Sequence, residues 1–191
     1  MNLDPERSLR RNLREKEKRL TRQNIEILRM GIKTFDEYIN ESWDEIDYSA
    51  KKNAAGVAIV WQNSILLVHP TGSSWQKNTL GIPKGGIEEG EDPLEAAVRE
   101  LSEEVGISID PSQLDPEPLI ANNYNSSGVL KWQLVYFVLK INELEEIGLI
   151  DTRVPKEQLQ TEEVDWAGFV PIESAYSKMH RSQLIILDRL R

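Results

Sequence analysis

The sequence predicts an α/β protein in which helices flank a mixed β-sheet, with a helical extension ahead of it at the N-terminus. Three observations lead there. Residues 54–61 (AAGVAIVW) and 64–69 (SILLVH) are short continuous apolar runs, the pattern of strands buried on both faces. A strongly periodic helix follows from position 92. Further apolar segments alternate with short helical ones toward the C-terminus, which is the pattern of a layered α/β sandwich.

The elements run in order. Residues 1–50 read as helical and polar, with Leu9, Leu13, Leu20 and Ile27 forming a thin apolar stripe, and 51–191 read as the globular domain. A polar turn at Gln62 and Asn63 joins the first two strands. A loop over 71–78 leads to a short strand near 80–82 and then to the glycine-rich turn PKGGIEEGE. Asp92 is the helix N-cap, Pro93 takes the first helical position, and Glu95 is placed to complete a capping box. Leu94, Ala97, Val98, Leu101 and Val105 form the core-facing stripe, and Gly106 ends the helix. Strands are expected over 119–124, 129–140 and 163–170, with helical segments near 172–178 and 182–190.

Composition narrows the function classes. The best apolar run is far shorter than the ~20 residues of a membrane-spanning helix, and the charged N-terminus does not resemble a signal peptide, so a cytoplasmic protein that does not engage membranes is expected. With no cysteine there is no thiol nucleophile and no thiolate metal site. The net charge of −9 is uneven: residues 1–30 hold nine Lys/Arg against five acids, so this arm carries +4 and the remainder −13. An acidic body argues against broad nucleic-acid binding by the globular part and suits a site that gathers carboxylates around cations. The basic arm reads as a solvated helical appendage or a handle for a homodimer, with RNA as the alternative partner.

Glu100, Glu103 and Glu104 carry the chemistry. Their i, i+3, i+4 spacing puts three carboxylates on one helix face, where like charges repel. A divalent cation reverses the sign of that energy, and magnesium favours such oxygen ligands. The plain alternative is a solvated acidic face. Two neighbours favour the cation: Arg99 can hold a carboxylate bidentately, and Gly85, Gly86 and Gly90 allow the preceding loop to turn and approach phosphate oxygens.

At this point the chain resembles the Nudix hydrolase family. Gly85, then Glu91, then the run Arg99-Glu100-Leu101-Ser102-Glu103-Glu104-Val105-Gly106-Ile107 match the Nudix box at every defined position. A chance match in a chain of this length is on the order of 10⁻⁷. The resemblance implies a Nudix α/β/α sandwich over about 52–180. It implies Mg²⁺, with Mn²⁺ as a substitute, bound by Glu100, Glu103 and Glu104 together with the backbone carbonyl of Lys84 or Gly85. It also implies that Arg99, partnered by Glu91, orients the glutamates. No nucleophilic side chain is then needed, because metal-activated water and charge neutralisation do the work. In the family the general base comes from the box or from a later loop, so Glu103 is the catalytic candidate within the box and Glu162 and Glu163 are the remote candidates.

Substrate choice lies outside the box. Tyr124 stands 17 residues after Ile107 and resembles a base-stacking tyrosine of diadenosine-polyphosphate hydrolases, which makes a diadenosine polyphosphate the leading expectation. Where ADP-ribose-cleaving relatives carry proline, this chain has Asn122 and Asn123. RNA 5′-pyrophosphohydrolase, ADP-ribose or NTP pyrophosphatase, and a non-catalytic binding or virion-packaged module are the alternatives. Lys84, Gly85 and Gly86 are placed to meet phosphate. His69 is expected to be satisfied by backbone rather than to line the site, Trp75 and Trp132 to pack in core or rim rather than to stack on a base, and His180 receives no role. KTFDEYINES, after Met30, resembles a short signal at the start of proteins packaged into tailed-phage heads, which would make Met30 the true start.

Overall fold

A computed structural model describes residues 53–76, 78–124 and 130–190. The expectations for residues 1–50, including the basic arm and the Met30 start, lie outside the described residues. The described part is a six-stranded sheet with helices on both faces. Its strands are β1 (Asn53–Trp61), β2 (Ser64–Pro70), β3 (Lys84–Gly86), β4 (Leu119–Tyr124), β5 (Leu130–Ile141) and β6 (Val164–Pro171). The helices are α1 (Pro93–Val105), α2 (Ile172–Ala175) and α3 (Leu184–Arg189). Among the described residues no helix is long and apolar enough to cross a membrane.

The sheet is ordered β4-β5-β1-β2-β6, with β3 added to β1. β1 and β5 run parallel from Asn53↔Gln133 to Trp61↔Ile141, and the other pairs are antiparallel. The second edge of β1 is shared. Its C-terminal end pairs with β2 at Val60↔Ile65, and its N-terminal end pairs with β3 at Gly56↔Lys84. An isolated Val68↔Gly81 bridge ties β2 to the segment leading into β3.

Side chains alternate across the sheet, so each strand feeds two cores. Ala55, Val57 and Ile59 of β1, with Val135, Phe137 and Leu139 of β5, pack under Ala96, Ala97, Leu101 and Val105 of α1. Ala58, Val60, Leu134 and Tyr136 face Ile172, Met179, Ile186 and Leu187.

Four local expectations need correction. The strand near 80–82 is reduced to single bridges at Leu80 and Gly81, and the extra strand forms instead at Lys84–Gly86, within the stretch read as a turn. Glycines suggested a turn there, but pairing with β1 satisfies the backbone. Asp92 caps α1 through the Leu94 N–H at 2.8 Å rather than through a capping box with Glu95. The buried face of α1 is rotated from the expected stripe: Ala96, Glu100 and Glu104 are buried, whereas Leu94 and Val98 are half-buried. The three glutamates therefore do not share one solvated face, because Glu103 alone of them is exposed.

Candidate active site

Glycine explains how two chain segments can lie so close together at this site. Gly85 does not have the positive φ of a glycine turn; what it provides is space. A Cβ there would stand 2.0–2.3 Å from the carboxylate of Glu100, so that carboxylate is seated against the bare backbone of β3. At Gly56 a Cβ would meet the Pro83 carbonyl oxygen and the Lys84 Cβ, so β3 pairs alongside β1 only because that position is bare. Gly106 ends α1 at φ 67° with its N–H donating to Ser102 O, and a Cβ there would press on Gln158. The 158–163 loop is thereby drawn against the helix end, where Gln160 N donates to Glu104 O at 3.1 Å.

Arg99 organises the acidic groups. Its Nε and Nη2 donate to the two oxygens of Glu91 at 2.8 and 2.9 Å. Nη1 donates to Glu100 at 2.7 Å and to Glu103 at 2.9 Å, and Nη2 also reaches Gly86 O at 2.9 Å. This fork uses the planar geometry that lysine lacks. The Arg99 hydrogen bond is the main reason the Glu91 carboxyl lies below its ordinary range. Burial lifts Glu100, against the opposing pull of Arg99.

Glu104 is the most perturbed carboxylate of the box. Burial pushes it up to about 7, opposed by the Lys84 charge and by the Lys84 N–H, which donates to Oε2 at 3.0 Å. Glu100 and Glu163 add repulsion, so the three carboxylates lie within electrostatic reach of one another. Among the described residues no three acidic or imidazole groups already surround a common point. The hydrogen bonds give the reason: Arg99 engages Glu100 and Glu103, while Glu104 is turned to the Lys84 amide. The donor set nevertheless fits a hard divalent cation. It is all oxygen, and Glu104, whose burial penalises its charged form, would gain most from a compensating charge.

A cavity of about 710 Å³ opens beside these groups, within the range typical of small-molecule sites. Lys84, Gly85, Glu104 and Glu163 line one part of it. Glu163 is exposed, whereas Glu162, equally exposed, does not line the cavity. Tyr124 sits half-exposed at the end of β4 and is likewise absent from the lining.

Trp132, whose sequence reading favours packing over base stacking, and His180, to which the sequence assigns no role, both line the cavity. His69 is not satisfied by backbone. It is fully buried, its Nδ1 lies 2.6 Å from Asp165 Oδ1, and its ring stacks on Trp75 with centroids 3.7 Å apart. Asp165 is 96 positions away and His180 is 111 from His69, separations over which no local periodicity can pair residues.

Among solved structures, the fold is similar to a MutT NUDIX hydrolase from Burkholderia pseudomallei. The TM-score is 0.53 at 18% identity, covering 73% of this chain and 98% of the other. It is also similar to a C. elegans Ap4A hydrolase binary complex, with TM-score 0.52 at 22% identity, covering 73% and 94%. These likenesses bear on the fold alone. A 49-residue segment is 49% identical to the RNA pyrophosphohydrolase of Rhizobium meliloti (strain 1021), covering 26% of this chain and 29% of that protein. A 52-residue segment is 42% identical to the methanol dehydrogenase activator of Bacillus methanolicus, covering 27% and 28%. The aligned stretch spans less than a third of each of these curated relatives. A model of the NUDIX domain matches residues 50–190, which takes in the whole sheet, the box helix and the cavity wall, and on that match the chain belongs to the NUDIX family.

Proposed function

We propose that this protein is a divalent-metal-dependent hydrolase that opens the pyrophosphate linkage of a nucleoside diphosphate derivative. The observation that carries this reading is the meeting of Lys84 and Gly85 from β3, Glu104 from α1 and Glu163 from the loop before β6 on one cavity. Four groups from three separate segments converge where a diphosphate needs both charge neutralisation and water. Residues 51–191 would form the catalytic domain, with 1–50 as an extension to it.

Glu100, Glu103, Glu104 and the backbone carbonyl of Lys84 would hold Mg²⁺, or Mn²⁺ in its place. The ion when bound supplies Lewis-acid charge to the phosphates and lowers the pKa of water. Arg99, itself fixed by the bidentate Glu91 pair, keeps Glu100 and Glu103 oriented. Lys84 meets a phosphate oxygen as a point charge, and Gly85 and Gly86 leave the β3 backbone open to close approach. Glu163, on the cavity wall, accepts the proton of the attacking water.

A diadenosine polyphosphate is the leading substrate. Its support is the spacing of Tyr124 from the box, since the box and the cavity are common to every nucleotide reading; Tyr124 stands half-exposed at the end of β4, away from the cavity lining. RNA 5′-pyrophosphohydrolysis is the second reading, favoured by the 49%-identical segment of a protein of that name and by the basic arm. A magnesium-supplemented screen of diadenosine polyphosphates, ADP-ribose, nucleoside triphosphates and 5′-triphosphorylated RNA, with product identification, decides between them. Glu103→Gln should lower turnover by orders of magnitude with an unchanged melting curve. Near-normal turnover in that variant would sink the ligand assignment.

A further inference from the structure

The cavity is lined by two kinds of group that a nucleotide could use. Charge is confined to Lys84, Glu104 and Glu163, whereas Trp132, His180 and Ser182 contribute an indole, an imidazole and a hydroxyl over an apolar floor that includes Leu134. A nucleotide likewise has two parts, a polyphosphate and a flat heterocycle. We infer that the Trp132–His180 part of the cavity is a nucleobase subsite, in which a purine stacks on the Trp132 indole and accepts a hydrogen bond from His180 Nε2. This inference rests on the reading of the neighbouring acidic groups as a diphosphate site.

Position and alternation support the role of Trp132. It lies two residues before Leu134 and four before Tyr136 on β5, so it shares their sheet face. That face also carries Lys84, whose Cβ lies beside Gly56 across the paired strands. Trp132 precedes the first β5 residue paired to β1, Gln133, and is half-buried, so its ring packs on the core at one edge and borders the cavity at another. Among the described residues it is the one indole in the lining.

His180 is held rather than free to swing. Its backbone N–H donates to Leu80 O at 2.9 Å, and Leu80 N donates to Lys178 O at 3.0 Å. Three residues on, the buried Gln183 side chain accepts from Ile82 N at 2.9 Å, so the 178–183 wall is stitched to the 80–82 segment. The His180 ring caps the following turn: Nδ1 accepts from Ser182 N and lies 2.7 Å from Ser182 Oγ. With Nδ1 acting as acceptor, the neutral imidazole carries its proton on Nε2, which makes Nε2 a donor. Purine rings offer acceptors on their edges, and their area favours the indole over a pyrimidine's.

ADP, UDP and inorganic pyrophosphate are the probes. Titrated into the full chain, ADP should quench tryptophan fluorescence, and Trp132→Phe, which keeps a flat ring, should lose most of that quench while binding ADP within a fewfold. Trp132→Ala should weaken ADP about tenfold to a hundredfold, the span expected for loss of one base–aromatic stack. Pyrophosphate binding, read by competition against ADP in wild type and calorimetrically in the variant, should not change. His180→Ala should shrink the preference for ADP over UDP severalfold. A full quench retained in Trp132→Phe, or equal weakening of ADP and pyrophosphate in Trp132→Ala, overturns the subsite. These readouts need no turnover. If no diphosphate is hydrolysed but ADP still quenches through Trp132, the catalytic reading fails and the subsite stands.

Discussion

Replacing Gly85 by alanine should separate activity from stability. The backbone at this position is not left-handed, so alanine meets no backbone strain. Its methyl, however, would stand 2.0 Å from Glu100 Oε2 and 2.3 Å from Oε1, where ordinary contact begins at 3.4 Å. The carboxylate must retreat by the difference between 3.4 and 2.0 Å, about 1.4 Å. Glu100 is also held by Arg99 Nη1 at 2.7 Å, so that bond breaks or Arg99 moves with it and disturbs Glu91 and Glu103. Overpacking costs about 1–3 kcal/mol and the lost charge-assisted bond about 1.5–3 kcal/mol more, a sum of about 2.5–6 kcal/mol set against the ~5–15 kcal/mol typical of a domain. Misplacing a catalytic group by ~1 Å costs about a hundredfold in rate. Magnesium-dependent turnover, measured on whichever substrate the screen identifies, should therefore fall at least a hundredfold while the circular-dichroism melt stays cooperative. A variant with normal turnover, or one that does not fold, would refute the claim that Gly85 exists to seat Glu100.

Further outcomes follow from the same residues. The folded-state pKa of Glu104 is raised from 4.5 to about 7, so in metal-free protein its contribution to stability is fully present below pH 4.5 and is lost as pH rises to about 7. The loss amounts to about 3 kcal/mol. Denaturant melts in the presence of chelator should show Glu104→Gln flattening this slope, and a slope identical to wild type would contradict the burial argument. Added Mg²⁺ should stabilise the wild type most above pH 7, where it no longer competes with the Glu104 proton; equal stabilisation at pH 5 would count against Glu104 as a ligand. Deleting residues 1–30 should reduce cleavage of 5′-triphosphorylated RNA and its salt sensitivity if the arm guides RNA, while small-nucleotide turnover stays within about twofold. Unaltered RNA cleavage removes the arm from substrate recognition.

What the sequence determined alone was local and periodic. The apolar runs of β1 and β2, the Asp92 and Gly106 caps, and the spacing of Arg99, Glu100, Glu103 and Glu104 all arise from interactions within a few positions, which a linear reading can count. The box spacing led to the family for the same reason. The tertiary structure decided what depends on which surfaces meet. Periodicity could not show that Glu100 and Glu104 would be buried while Glu103 stayed in water, because the closeness of β3 to α1 depends on the missing side chain of Gly85. Nor could it turn the PKGG stretch into a strand, since the pairing partner of that strand lies about 30 positions earlier in β1. Trp132, Glu163 and His180 come to one cavity only when β5, the loop before β6 and the segment before α3 are assembled. Burial and long-range pairing are properties of the packed chain, so the ligand-facing surface is written into the sequence only through the fold it produces.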